Sequence, residues 1–234
     1  MEKQSIAKLL QENAYPGRGL ILGRSGDNLH AVLAYFIMGR SENSRNRVFV
    51  PTEDGIRTQA HDPSKMTDPS LIIYHPLRVF EGKTIVTNGD QTDTIRDYLA
   101  QGHCYRHALL TREFEPDAPN YTPRISGVVK PDGSYVLSIL KSAEGDPGCC
   151  CRYFYEYDAP KAGEGRFLHT YRGDGNPLPS FEGEPVRVDL DAPDAESFAA
   201  LLWDALNRDN KVSLFVRYIA LADGTVEDAM RNAR

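Results

Sequence analysis

The chain has 234 residues, with 27 Lys+Arg against 33 Asp+Glu for a net charge of −6, and 41 % of its residues are hydrophobic, which excludes disordered, collagenous and coiled-coil classes. Its longest apolar run, Ala31 to Met38, is far shorter than the roughly 18 to 20 residues of a membrane-spanning helix, so no membrane partner is expected. The acidic balance argues against nucleic acid as well, because phosphate backbones are gripped by concentrated Lys and Arg; an anionic ligand must meet a local basic cluster.

The start of the chain has no apolar leader core and no small-residue cleavage site, which predicts a cytoplasmic address. Ile6, Leu9 and Leu10 stand at helical spacing within residues 3–12. Two strand-length apolar runs follow, Gly19 to Gly23 and His30 to Met38, separated by the turn-prone Ser25-Gly26-Asp27-Asn28, and they predict a hairpin. Further strands are expected at 47–51, 55–59, 71–74, 77–80 and 84–87, the last two flanking a Glu81-Gly82 turn. A helix opens near Thr92 or Asp93, either of which suits a cap, and a second covers 103–112. Strands resume at 124–129 and 135–140 across Lys130-Pro-Asp-Gly133. The aromatic-rich 149–157 also looks extended, inside a loop-rich stretch from 145 to 184. Phe198, Leu201, Leu202, Ala205 and Leu206 form one helical stripe, followed by a strand from 212 to 221 and a short helix from Val226. Long runs of strands with helices in two blocks argue for α+β with mostly antiparallel sheets, in a single domain over 1–234.

The dinucleotide, P-loop, zincin and α/β-hydrolase signatures are absent. Gly39-Arg-Ser-Glu-Asn-Ser-Arg-Asn-Arg47 concentrates Arg40, Arg45 and Arg47 among Ser and Asn; Arg forks give bidentate, charge-assisted bonds to phosphate, while the bland alternative is a solvated loop whose arginines pair with carboxylates such as Glu42. Asn88 to Asp93 joins a strand end to a helix start, and reads either as a ligand-facing turn or as a plain turn plus cap. Tyr74, before a proline, and Glu115, between helix and strand, would make an acid–base pair if they converge; singly, each is an ordinary buried phenol or solvated carboxylate. His103 and His107 have zinc-clamp spacing, but the neighbouring Cys104 points off their face, so no metal is expected. Cys149, Cys150 and Cys151 alternate faces of a strand and are expected as reduced, small apolar fillers.

In this order, Gly17-Arg18, Arg40-Ser41 with Asn46-Arg47, Ile73-Tyr74, Thr84 to Gly89, Thr92-Asp93 and Thr122-Pro-Arg-Ile125 make the chain resemble the archaeal-type inosine monophosphate (IMP) cyclohydrolases. The resemblance runs from about Gly17 to about Leu140 and then more loosely to the last helix and strand. It implies a four-layer αββα sandwich like that of the N-terminal-nucleophile hydrolases. The implied reaction is cofactor-free closure of 5-formamidoimidazole-4-carboxamide ribonucleotide to IMP, with a purine ribonucleotide as the partner. By the same resemblance Arg40, Arg45 and Arg47 hold the 5′-phosphate, and Asn88, Thr92 and Asp93 contact ribose or base. Tyr74 polarises or protonates the formyl group, Glu115 orients or deprotonates the carboxamide, and Arg18 and Arg124 line the pocket. A homo-oligomer is compatible with this reading. The residues ahead of Tyr15 and the stretch from Ala143 to Glu184 have no place in the archaeal pattern. Two rival readings are an amide hydrolase of the same fold that uses an internal thiol such as Cys149, and a purine-nucleotide binding module without chemistry.

Overall fold

The computed structural model describes residues 2–234. A seven-stranded sheet is a meander in strict chain order, β3 (Arg47–Thr52), β4 (Gly55–Ala60), β5 (Leu77–Phe80), β6 (Lys83–Thr87), β7 (Arg124–Val129), β8 (Tyr135–Ala143) and β9 (Asp146–Tyr157). The six-stranded sheet draws on both ends of the chain. Its spatial order is β11 (Val186–Asp189), β10 (Glu164–His169), β1 (Arg18–Arg24), β2 (His30–Met38), β12 (Lys211–Ala220) and β13 (Val226–Asn232). Every pairing between these strands is antiparallel.

Strand alternation sorts the cores. From β2, Leu33, Tyr35 and Ile37 face the other sheet, where they meet Phe49, Leu77, Val86, Ile125 and Leu137. Val32, Ala34 and Phe36 face outward onto α1 (Ile6–Glu12) and α5 (Ala195–Ala205), through Ile6, Leu10, Phe198 and Leu202. Buried on both faces, β2 reads as an unbroken apolar run. On the far side, Ile85, Val128 and Val136 pack under α3 (Gln91–Ala100) and α4 (Tyr105–Leu110), through Ile95, Ala108 and Leu109. The layers are therefore helix, sheet, sheet, helix: the α+β sandwich expected. Among the described residues no helix is long and apolar enough to cross a membrane.

Three expectations are corrected. The end of the chain from Val226 is strand, not helix. Pairing with β12 from Ile219↔Val226 to Ser213↔Asn232, and the Arg217–Asp228 fork at 2.7 Å on both arms, outweigh local preference. Residues 71–74 form a turn rather than a strand, because the Pro69 carbonyl accepts from both the Ile72 and Ile73 N–H groups. Thr92 and Asp93 lie within the first turn of α3, and Asp90 stands at its cap position without a side-chain bond. The three β9 cysteines divide. All four cysteines are free; Cys149 is exposed rather than a filler and Cys151 is half-buried, because β9 is the last strand of its sheet, whereas half-buried Cys150 packs against the core under α3 and α4.

Candidate active site

Strand register places three polar side chains on inner faces of the two sheets. Arg18 shares the parity of Leu20 and Leu22 on β1, Tyr35 that of Leu33 and Ile37 on β2, and Arg47 that of Phe49 on β3, all of these neighbours lying in the core between the sheets. Arg18 is fixed through its backbone: its N–H donates to Thr170 Oγ1 at 3.1 Å and its carbonyl accepts from Thr170 N–H at 2.9 Å. The preceding Gly17 has φ +80°, and a side chain there would collide with Thr170 and Tyr171.

Two connecting segments bring in the rest. Thr58 on β4 clamps the backbone of Tyr74: its Oγ1 accepts from Tyr74 N–H at 2.8 Å and donates to the Ile72 carbonyl at 2.8 Å, while its own N–H donates to the Tyr74 carbonyl at 2.9 Å. The Tyr74 hydroxyl meets that of Tyr35 at 2.8 Å. Glu115 follows α4, and its N–H donates to the Thr122 carbonyl at 2.9 Å to close a loop whose Asp117 accepts from Thr122 N–H. Nη2 of Arg18 donates to both carboxylate oxygens of Glu115, at 2.6 and 2.7 Å.

The electrostatics of this cluster are those of charges withdrawn from water. Tyr74, Arg47 and Glu115 are 6, 3 and 2 % exposed. Burial pushes the Glu115 carboxyl above the ordinary glutamate range, against the pull of Arg18 and Arg124. Burial likewise opposes charge on Arg18, but there Glu115 and then the neighbouring tyrosines override it and hold the guanidinium charged. On Arg47 the balance falls the other way. Its Nε donates to the Ser44 carbonyl at 2.8 Å, and among the described residues no carboxylate lies within ion-pair distance of it. Burial, with Arg18 as a further repulsion, lowers its affinity for its proton, against the pull of Tyr74, Tyr35 and Glu115. Arg18 Nε is buried without a hydrogen-bond partner as well. These are donors available to an anionic or carbonyl-rich ligand.

Of the sequence candidates, Arg18, Arg47, Tyr74 and Glu115 thus converge. Arg45 and Arg40 stand outside them. Arg45 donates to the Gly39 carbonyl at 2.8 Å, from the one-turn α2 (Glu42–Arg45) capped by Ser41 and Ser44. Arg40 pairs with Asp174, donates to the Gly175 carbonyl at 3.1 Å and lies over the Tyr15 ring. Asn88 is spent inside the protein: Nδ2 donates to the Pro123 carbonyl at 2.9 Å, and Oδ1 accepts from Ile125 N–H at 2.8 Å and from Gln91 Nε2 at 3.0 Å. Thr92 bonds Thr87 at 2.7 Å. Arg124 points to the helical side, donating to Asp90 and Gln91 at 2.7 Å each, yet its charge reaches Glu115. Asp93 pairs with Arg78, which also holds Asp54 and His75. Tyr35 and Thr58 were missed by sequence reasoning; the one available signal was a phenol inside the apolar run of β2. Cys149, on the exposed first half of β9, touches none of the converging groups.

Residues 15–224 match the family described as IMP cyclohydrolase-like protein. Curated relatives named IMP cyclohydrolase include one from Halobacterium salinarum, 31 % identical over 158 residues that cover 63 % of this chain and 76 % of the relative. One from Methanopyrus kandleri is 32 % identical over 162 residues, 67 % of this chain and 75 % of the relative. One from Methanosphaera stadtmanae is 27 % identical over 195 residues, 81 % and 85 % of the two chains.

Proposed function

We infer the activity from one premise: this chain belongs to the family of IMP cyclohydrolase-like proteins. It is an IMP cyclohydrolase, closing the purine ring of 5-formamidoimidazole-4-carboxamide ribonucleotide. The carboxamide nitrogen attacks the formyl carbon of the same molecule and a carbon–nitrogen bond forms; the carbon–oxygen bond then breaks, the formyl oxygen leaving as water with one hydrogen from the carboxamide nitrogen and one from the formamide nitrogen, which is left double-bonded to that carbon. The amide is a weak nucleophile and the formamide a modest electrophile, so the protein must hold the two arms together, polarise the oxygen and move protons.

The observation that carries the site assignment is Arg47, buried without an ion-pair partner among the described residues, near the Tyr74 hydroxyl and the Glu115–Arg18 pair, in a chain of net charge −6. Arg47 takes the 5′-phosphate, with Arg45 and Arg40 at the rim. Tyr74 gives a proton to the formyl oxygen, and Glu115, made more basic by burial, orients the carboxamide and accepts its proton. Arg18 fixes Glu115 and turns its spare Nε toward the substrate. Asn88, Thr92, Asp93 and Arg124 serve the site from behind, through the internal bonds that fix the β6–α3 connection, and not by the direct contact that the resemblance implies. The low exposure of Tyr74, Arg47 and Glu115 fits a reaction whose activated intermediate is kept from bulk water. A cytoplasmic location and a single domain over 1–234 belong to the same proposal.

The test is conversion of freshly prepared formyl precursor to IMP by the purified, chelator-treated protein, followed by absorbance and chromatography. Rapid formation of IMP is expected, with Arg47→Ala chiefly raising KM. A well-folded protein that binds IMP by calorimetry and makes none would overturn the assignment in favour of a binding module.

A further inference from the structure

We propose that Tyr35 is a positioning residue for the cyclisation: its hydroxyl donates to the Tyr74 oxygen and thereby commits the Tyr74 proton to the substrate. The inference rests on the cyclohydrolase reading and adds a residue to it. The argument begins with counting hydrogens. Two hydroxyls 2.8 Å apart carry two hydrogens between them. One lies in the shared bond and the other stays free, and neither oxygen has another hydrogen-bond partner among the described residues.

Which hydrogen is free follows from the surroundings. Tyr35 is fully enclosed between the sheets, paired in register with Leu20 on one side and Phe215 on the other, its ring stacked on Phe49 at 5.8 Å. A free hydrogen on Tyr35 would point into side chains that accept nothing. The charged neighbours offer no alternative: Arg18 and Arg47 are donors only, and among the described residues the Tyr35 hydroxyl bonds no oxygen but that of Tyr74. Tyr74 sits at the end of a connecting segment and keeps some access to solvent. Its hydrogen is the one that can reach a ligand, so the shared bond runs from Tyr35 to Tyr74.

This direction serves the chemistry. As the formyl oxygen takes the proton, charge builds on the Tyr74 oxygen, and the bond from Tyr35 strengthens at that moment rather than in the ground state. Burial, the largest influence on Tyr35, holds its ionisation well above the ordinary tyrosine range, so it stays a donor wherever the protein works.

Tyr35→Phe removes one oxygen and leaves the ring packing intact. The expected result is a fall in kcat of roughly 10- to 100-fold, the size of a hydrogen bond to a charged group, with KM unchanged, because Tyr35 does not touch the substrate. In the Y35F/Y74F double variant turnover equals that of Y74F alone. Wild-type kcat in Y35F, or losses that multiply in the double variant, would overturn the proposal. A readout without turnover keeps its failure apart from that of the activity: in proton NMR the buried Tyr35 hydroxyl proton is shielded from solvent exchange and, in the wild type, moved downfield by its bond to Tyr74, a shift that is lost in Y74F. Persistence of the downfield shift in Y74F sinks the inference whether or not the wild type makes IMP; absence of IMP with the coupling intact sinks only the assigned reaction.

Discussion

Around Asn88 the protein spends its polar groups on itself, and around Arg47 it does not. Asn88, Gln91 and Thr92 are all buried, and their side chains bond the Pro123 carbonyl, Ile125 N–H, Arg124 and Thr87. Arg47 is as deeply buried, yet its guanidinium makes one bond to a carbonyl and, among the described residues, has no carboxylate within ion-pair distance. The first arrangement lowers the cost of burial and fixes the β6–α3 connection in place; the second leaves a cost that only a ligand repays. Burial alone does not separate structural from ligand-facing groups, but the count of satisfied donors does.

The comparison can be broken from either side. The largest effect is expected at Tyr74: Tyr74→Phe should lower kcat by roughly 100- to 10,000-fold, the range of positioned proton transfer, while thermal stability stays near wild type. A large loss of melting temperature with normal turnover would place Tyr74 on the structural side. The next effect belongs to the frame. His169 Nδ1–H donates to the Tyr171 carbonyl at 2.7 Å, and burial pushes the imidazole down to about 4 from 6.5. The unfolded chain therefore binds the proton first on acidification, so stability present above pH 6.5 is lost as the pH falls towards 4, by about 3 kcal/mol. Denaturant unfolding across that range should show the slope in the wild type and a flatter profile in His169→Gln.

Asn88→Ala leaves the Ile125 N–H and the Pro123 carbonyl unpaired and should cost about 2 kcal/mol of stability, read by urea unfolding, with KM for the formyl precursor close to wild type. A selective rise in KM would return Asn88 to the substrate. The smallest effect is expected for Arg40→Ala. Its ion pair with Asp174 is exposed, and such pairs contribute within about 1 kcal/mol, so unfolding should barely change; a clear rise in KM would show that Arg40 lets go of Asp174 to take the phosphate.

Much of the fold was legible because its pattern is local. The hairpin of β1 and β2, the β7–β8 pair across Pro131-Asp132-Gly133 and the stripe of α5 announce themselves through alternation, turn residues and helical spacing. What failed depends on partners distant in sequence. The segment from Val226 is short and polar, and only the edge of β12 makes it a strand. Ile72 and Ile73 look like strand until Pro69 gathers their N–H groups. In the site, residue types pointed to Tyr74, Glu115 and Arg47, but no spacing could reveal that Arg40 would be held by Asp174, or that Tyr35 would end against Tyr74 from 39 positions away.

The two sheets also differ in when they can exist. The meander β3 to β9 is consecutive in the chain, so a nascent polypeptide can pair all of it once Tyr157 has left the ribosome. β2 is made earlier but must wait for Lys211–Ala220 to supply its second neighbour. During that interval the most apolar strand of the molecule, and the Tyr35 it carries, have an open edge available to other unfinished chains. Slower translation between β9 and β12 should therefore lower the yield of native protein more than the same pause placed before β3, where little has yet been made that needs covering.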